Sequence, residues 1–146
     1  MKNYIRTLEF DKVLELVCNE TATIIGAESV RNLAPSARLS EVELLQKETA
    51  EARDVLDRYG SFPLGGIEDI RDSVYRASVE SMLQPRDLIT IHNTLVSCAR
   101  LRDFLIKLPE EVFPLLRDMG FRMEPHQDVV KEIRHSISRA GEVLDS

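Results

Sequence analysis

Two long stretches of the sequence repeat apolar side chains at the spacing of an α-helix, and this periodicity is the strongest constraint on the fold. Within residues 40–59 and 85–108, apolar or small residues recur every three or four positions, which places them on one face of a helix. The two stripes are Val42, Leu45, Thr49, Ala52, Leu56 and Tyr59, then Leu88, Ile91, Leu95, Cys98, Leu101 and Leu105. No segment shows sustained period-two alternation with β-branched residues. The sequence therefore predicts an all-α multi-helix bundle.

Capping residues, glycines and prolines divide the chain into helices. Ser40 followed by Glu43 fits a capping box, and Gly60 suits the end of the same helix. Pro85, followed by Asp87 in the first turn, favours the start of the longest helix. We expect further helices over residues 8–23, 27–33 and 69–77, with others starting at Pro109 and Pro125 and breaks at Gly26 and Gly120. A small β-hairpin near either end of the chain stays open.

The residues expected to hold the bundle together are apolar. They are Val42, Leu45, Leu56 and Tyr59 on one helix, Leu88, Ile91, Leu95 and Leu105 on the other, and Leu64, Gly65, Gly66 and Ile67 in the loop between. Water-exposed loops are rarely this apolar, so we expect the loop to fix the crossing of the two helices. If Leu95 belongs to the core, its replacement by alanine costs about 2–5 kcal/mol.

Composition and charge exclude several classes of protein. The length of 146 residues fits one domain, and 43% hydrophobic with 30% charged residues is typical of a soluble globular chain. No apolar run approaches the length of a membrane span. Residues 1–10 lack the apolar core of a signal peptide, which favours the cytoplasm. The net charge of −6 argues against a surface devoted to nucleic acid, although a local basic patch stays open.

Residues that could carry chemistry do not form a recognisable motif. His92, His126 and His135 are not spaced as paired metal ligands on a helix. Cys18 and Cys98 lie in apolar stretches, and we interpret them as reduced, buried thiols.

The acidic pairs and the known catalytic motifs also give no sign of an active site in this sequence. The pairs Glu68-Asp69 and Glu110-Glu111 precede expected helices, where they complement the helix dipole. The sequence has no nucleophile elbow and no nucleotide-binding P-loop. We therefore predict no catalytic, cofactor-binding or metal-binding residue in this chain.

Basic side chains recur on two of the expected helices. They are Lys131, Arg134 and Arg139 on the last helix, and Arg100, Arg102 and Lys107 on the longest. Each could contact a phosphate group, but interleaved acidic residues favour a solvated helix face.

Five segments, in a fixed order, resemble the N-terminal part of the type-two bacterial MutS proteins. They are LEFDKV at residues 8–13, LAPS at 33–36, FPLGGIEDI at 62–70, LQPRDL at 83–88 and GEVLDS at 141–146. The resemblance covers essentially the whole chain. The sequence departs from the family at Ala34, where a basic residue is common, and at Arg139-Ala140, where an acidic residue usually precedes the last glycine.

The resemblance implies that residues 1–146 are an N-terminal helical core and lever fragment of a longer protein. Such a parent is expected to be a homodimeric ATPase using ATP and Mg²⁺, with clamp helices and a C-terminal Smr nuclease domain. Its expected partners are branched DNA and, in some members, collided ribosomes that it splits, and it suppresses recombination. None of the ATPase or nuclease motifs occurs in this chain, so the family's catalytic residues have no positions here.

These observations lead to a mechanical hypothesis and a rival. In the first, the chain is a helical module that couples the missing ATPase to the clamp, with the rest of its own chain as partner. In the second, it is a stand-alone helical module that binds nucleic acid or protein. A self-contained hydrolase has almost nothing to support it.

Overall fold

A computed structural model describes residues 9–136, which form seven helices and no β-strand within that range. The helices are α1 (Phe10–Asn19), α2 (Ile24–Arg31), α3 (Leu39–Tyr59), α4 (Arg71–Ser78), α5 (Pro85–Ile106), α6 (Pro114–Arg122) and α7 (Gln127–Ser136). The predicted all-α bundle is confirmed, and the described part contains no hairpin of strands. The first residue of the LEFDKV segment lies outside the described residues. The whole GEVLDS segment and Arg139 also lie outside them.

The hydrophobic core lies where α3, α5 and α6 meet. Its buried members are Val55, Leu105, Leu108, Phe113 and Leu116. Around them, the ring of Tyr59 lies edge-on to Phe104 at 5.9 Å and to Phe113 at 6.4 Å, centroid to centroid. Such edge-to-face pairs add to the area that the rings bury. The end of α3, the end of α5 and the start of α6 therefore form one packed unit.

Helix α3 uses a different face from the predicted stripe. Val55 is fully buried, whereas Leu45, Leu56 and Tyr59 are each about half exposed, at 47%, 47% and 49%. Val42 is half-buried. The prediction was wrong at Leu45 and Leu56 because only the second half of α3 contacts α6, and the side that contacts it is centred on Val55.

Helix α5 carries the predicted core residues together with a small polar strip. Ile91 and Leu105 are buried as predicted, while Leu95 and Leu88 are half-buried. Leu95 is therefore not a buried core residue. The cost of about 2–5 kcal/mol for Leu95→Ala was expected only for a core position, so it does not apply.

The apolar loop packs along the polar strip of α5. Gly66 has a φ of 84°, and a Cβ there would lie 2.7 Å from the Oγ of Ser97. The backbone N–H of Glu68 donates to the hydroxyl of Thr94 at 3.2 Å. Thr94 and Ser97 are buried for this reason. The loop reaches the aromatic cluster through Phe62, whose ring lies 5.8 Å from that of Phe104.

Three predicted helix boundaries were correct or nearly so. Gly60 ends α3 with a φ of 83° and donates its N–H to the carbonyl of Leu56. Pro85 begins α5, and Asp87 accepts a hydrogen bond from the N–H of Gln84 at 2.9 Å. Helix α7 begins two residues after Pro125.

Two predicted signals near the beginning of the chain were wrong. Gly26 does not break a helix but lies inside α2, where its N–H donates to the hydroxyl of Thr23 at 3.0 Å. The Ser40 capping box is absent because α3 already begins at Leu39, and Ser36 donates to the carboxylate of Glu41 instead.

The expected helix from Pro109 to Gly120 was also wrong at both ends. Residues 109–113 form a turn, which places the side chain of Phe113 in the core. Helix α6 begins only at Pro114. Gly120 lies within α6 and is buried against Leu105 of α5. Its lack of a side chain allows the two helices to approach closely.

Replacing Gly120 by alanine tests this close approach. The new Cβ would lie 2.8 Å from the Cβ of Leu105 and 3.2 Å from the backbone N of Ile106, so α5 and α6 must move apart. We expect the free energy of unfolding to fall by about 1–3 kcal/mol, measured by urea denaturation followed by circular dichroism. Gly65→Ala is the matched control because a Cβ at Gly65 meets nothing within 4 Å. Equal effects of the two substitutions would contradict the packing described.

Candidate interaction surface

The histidines do not converge on a shared centre. In residues 9–136, no three side chains of His, Cys, Asp or Glu are grouped as metal ligands. The Nδ1 of His135 donates to the carbonyl of Lys131 one turn earlier, at 2.7 Å, and His92 lies beside the amide oxygen of Asn93. These are local contacts within one helix. The absence of catalytic and metal-binding residues stays a prediction.

Both cysteines are free and half-buried. The thiol of Cys18 donates to the carbonyl of Ala27 at 3.4 Å, which connects α1 to α2. Burial raises the pKa of the Cys98 thiol, so that its reactive thiolate form is disfavoured. The predicted packing role is consistent with both positions, although neither thiol is completely buried.

An arginine joins α2 to the start of α4. The Nη2 of Arg71 lies 2.6 Å from a carboxylate oxygen of Glu28 and 2.6 Å from one of Asp69. Asp69 also accepts the backbone N–H of Arg71 at 3.1 Å, so it caps α4 in the way predicted for the pair Glu68-Asp69. Hydrogen bonds from Arg71 lower the pKa of Asp69 to about 2.

A second arginine joins α4 to the start of α5. Arg76 pairs with Asp72 at 3.0 Å, as the spacing predicts, and with Asp87 at 3.1 Å. The bond from Arg76, and then that from the N–H of Gln84, lower the pKa of Asp87. Arg71 and Arg76 both lie on α4, so these two arginines connect this short helix to α2 and to α5.

An open groove lies between the α2–α3 connection and the first half of α3. Its volume is about 570 Å³, and it is lined by Asn32, Leu33, Ala34, Ser36, Glu41, Val42, Leu45, Gln46 and Thr49. Leu33 and Leu45 remain 50% and 47% exposed. A small-molecule site encloses most of its ligand, whereas this groove leaves its apolar floor open. The geometry suits the side chains of a packed polypeptide better than a small ligand.

Glu51 caps the beginning of α6 through a contact that the sequence does not predict. Its two carboxylate oxygens accept the backbone N–H groups of Leu115, at 3.2 Å, and Leu116, at 2.9 Å. These N–H groups have no partner within the helix, and a negative charge is favourable there. Glu51 and Leu115 are 64 residues apart, so no local pattern could indicate the pair. By contrast, Glu110 and Glu111 lie within the turn of residues 109–113 and not at the start of a helix.

The predicted basic residues divide into one structural arginine and several exposed side chains. The Nε of Arg102 donates to the carbonyl of Met123 at 3.0 Å and thereby connects α5 to the end of α6. The exposed ones within the described range are Arg100, Lys107, Lys131 and Arg134.

Several helices present apolar side chains to solvent. Helix α1 has no buried residue, and Val13, Leu16 and Val17 are 49%, 67% and 44% exposed. On and after α4, Tyr75 and Met82 are 67% and 84% exposed. In the described part of the chain, no helix is long and apolar enough to cross a membrane.

Comparison with known proteins gives consistent matches along the whole chain, although no family model matches. A Brevibacillus brevis protein named endonuclease MutS2 is 38% identical over 143 residues, which cover 97% of this chain and 18% of that protein. A Bacillus cereus (strain Q1) protein of the same name is 36% identical over 148 residues, covering 100% of this chain and 19% of its own length. The chain thus spans about a fifth of the length of these relatives. Essentially the whole of this chain is therefore similar to one part of proteins named endonuclease MutS2.

Replacing Asp69 by asparagine tests the arginine bridge through its pH dependence. The pKa of Asp69 is lowered from 3.8 to about 2, so its carboxylate stabilises the fold fully above about pH 4. That contribution is lost as the pH falls towards 2. We expect the thermal midpoint of Asp69→Asn, followed by circular dichroism, to decrease less between pH 4 and pH 2 than that of the unaltered chain.

Asp118→Asn is the matched control for this experiment. Asp118 also pairs with an arginine, Arg122 at 3.1 Å, but within a single helix. If Asp69→Asn retains the full acid-dependent decrease, the bridge makes no contribution to stability.

Replacing Glu51 by alanine tests the long-range cap. Two backbone N–H groups of α6 lose their acceptor, and we expect the free energy of unfolding to fall by about 0.5–2 kcal/mol. Urea denaturation provides the measurement. Glu43→Ala removes an exposed carboxylate from the same helix and should change stability by less than about 0.5 kcal/mol. A Glu51→Ala effect as small as the control's would refute the capping role.

Proposed function

We propose that this chain is a helical segment of a MutS2-family protein and acts there as a mechanical coupling element. The observation that carries the proposal is identity of 35–38% along the chain to proteins named endonuclease MutS2 that are about five times longer. The described residues add a packed core that joins three helices. A segment with these properties supports motion and positioning in the larger protein.

The contacts at the core explain how such a segment would transmit movement. Gly120 lets α6 lie directly against α5, and Phe113 closes the same junction against Tyr59 of α3. Close-packed interfaces of this kind have discrete arrangements and resist continuous deformation. A displacement applied to one of these three helices therefore moves the other two.

For the whole protein, we propose the activities that the resemblance implies. These are ATP hydrolysis with Mg²⁺ in an ATPase domain, DNA cleavage by a C-terminal Smr domain, and action as a cytoplasmic homodimer. Its proposed partners are branched DNA and collided ribosomes, with suppression of recombination and splitting of ribosomal subunits as outcomes. The name endonuclease, carried by the relatives, supports the nuclease part.

The remainder of the same polypeptide is the proposed partner of this segment. The groove beside α3 is open and apolar at its floor, and α1 leaves Leu16 67% exposed. Exposed apolar surface of this kind is typical of protein contacts. Relatives that are several times longer supply enough polypeptide to cover it.

The rival function is direct binding of nucleic acid by these residues. The exposed side chains of Arg100, Lys107, Lys131 and Arg134 favour it. Against it stand the net charge of −6 and the use of Arg102 within the fold. We therefore retain it as the second candidate.

A binding experiment separates the two candidates. We expect the 146-residue chain to show no micromolar binding to a fluorescent four-way DNA junction at low salt, measured by fluorescence anisotropy. Binding by the rival mechanism would weaken steeply with salt, and Lys131→Ala with Arg134→Ala would reduce it. Tight, salt-sensitive binding would overturn the mechanical proposal. ATPase or nuclease activity of the chain above background would overturn it as well.

A further inference from the structure

Helices α1 and α2 form a hairpin that is nearly separate from the remaining described helices. They contact each other, but neither makes a comparable contact with any of α3 to α7. Neither has a buried residue. Their mutual contacts include the bond from the thiol of Cys18 to the carbonyl of Ala27, and Thr23 in the short connection between them caps α2. The hairpin therefore has internal contacts of its own and little packing against the core.

One ion pair connects this hairpin to the rest of the fold. Within residues 9–136, the bond from Arg71 to Glu28 is the one hydrogen bond that joins α1 or α2 to anything beyond the α2–α3 connection. The same nitrogen of Arg71 contacts Asp69 at 2.6 Å, so the guanidinium is fixed on the α4 side. Glu28 and Arg71 are 47% and 59% exposed at their side chains.

The connection between α2 and α3 can serve as a hinge. Residues 33–38 have no regular structure, and they include Pro35. At the far end, Ser36 and Arg38 both bond to the carboxylate of Glu41, which fixes this end to α3. At the near end, the N–H groups of Asn32 and Leu33 donate to carbonyls of α2, at 3.1 Å each. The part of the connection between these two sets of bonds is residues 34–35. Hinges are typically a few loop residues that absorb changes in backbone angle.

We propose that the α1–α2 hairpin is a hinged arm and that the Glu28–Arg71 ion pair is its latch. A solvent-exposed ion pair is weak and is screened by salt, so the docked and released positions differ little in free energy. An anion or a carboxylate that competes for Arg71 releases the arm, and the exposed apolar face of α1 moves with it. This inference goes beyond the proposed function and does not rest on it.

Spin labels at two exposed positions provide the measurement, with Glu15→Cys on the arm and Arg100→Cys on α5. In a chain whose half-buried thiols are removed by Cys18→Ser and Cys98→Ser, the labels report the distance between the arm and the core by double electron–electron resonance. We expect Arg71→Ala to increase the released, long-distance population about two- to fivefold. Glu28→Gln should act in the same direction while leaving the Arg71–Asp69 pair intact. Raising the salt from about 0.05 M to about 1 M should mimic both substitutions in the unaltered chain.

Arg122→Ala is the matched control, since Arg122 pairs with Asp118 of the same helix, α6, and its side chain has a similar exposure of 67%. An equal shift in this variant, or an unchanged distance distribution in both Arg71→Ala and Glu28→Gln, would overturn the proposal.

Hydrogen exchange followed by mass spectrometry gives a label-free readout. Release of the arm as a unit leaves the amides of α2 protected in Arg71→Ala. Loss of their protection would mean that the ion pair stabilises the helix itself, and this too would overturn the latch.

Discussion

The fold depends on the close approach of α6 to the end of α5. Gly120 makes this approach possible, since any side chain there would collide with Leu105 and Ile106. The turn before α6 then places Phe113 in the same junction, where it is completely buried. Because the ring of Tyr59 also packs there, the position of α3 follows from the contact between the other two helices.

Outside this junction, polar contacts connect elements that share little buried surface. Glu51 binds the start of α6, Arg102 the end of α6, and Arg71 and Arg76 connect the helices around α4. Each exposed ion pair contributes little stability. These contacts restrict how the elements are oriented, because a hydrogen bond is directional and favours particular angles between donor and acceptor.

The sequence predicted the helical fold because periodicity and local capping are properties of neighbouring residues. It identified Ile91 and Leu105 for that reason. It could not identify Val55, because the apolar stripe of α3 is wider than the surface that α6 covers, and only the contact selects the buried side. Phe113 and Glu51 depend on partners far along the chain, which a local pattern cannot show. Motif searching found no functional site. The groove beside α3 could not be predicted either, because it forms only where the connection after α2 lies against the first half of α3.

The distribution of burial within the chain bears on how it can act. The three helices of the core meet at the buried side chains of Val55, Leu105 and Leu116, and they are suited to move together. The arm of α1 and α2 has apolar residues that stay exposed and one ionic contact with α4. A rigid unit joined to a weakly held arm can take two arrangements at little energetic cost, and a binding partner need supply only a small difference in affinity to select one of them. The weakness of the Glu28–Arg71 contact is therefore the property that makes such selection possible.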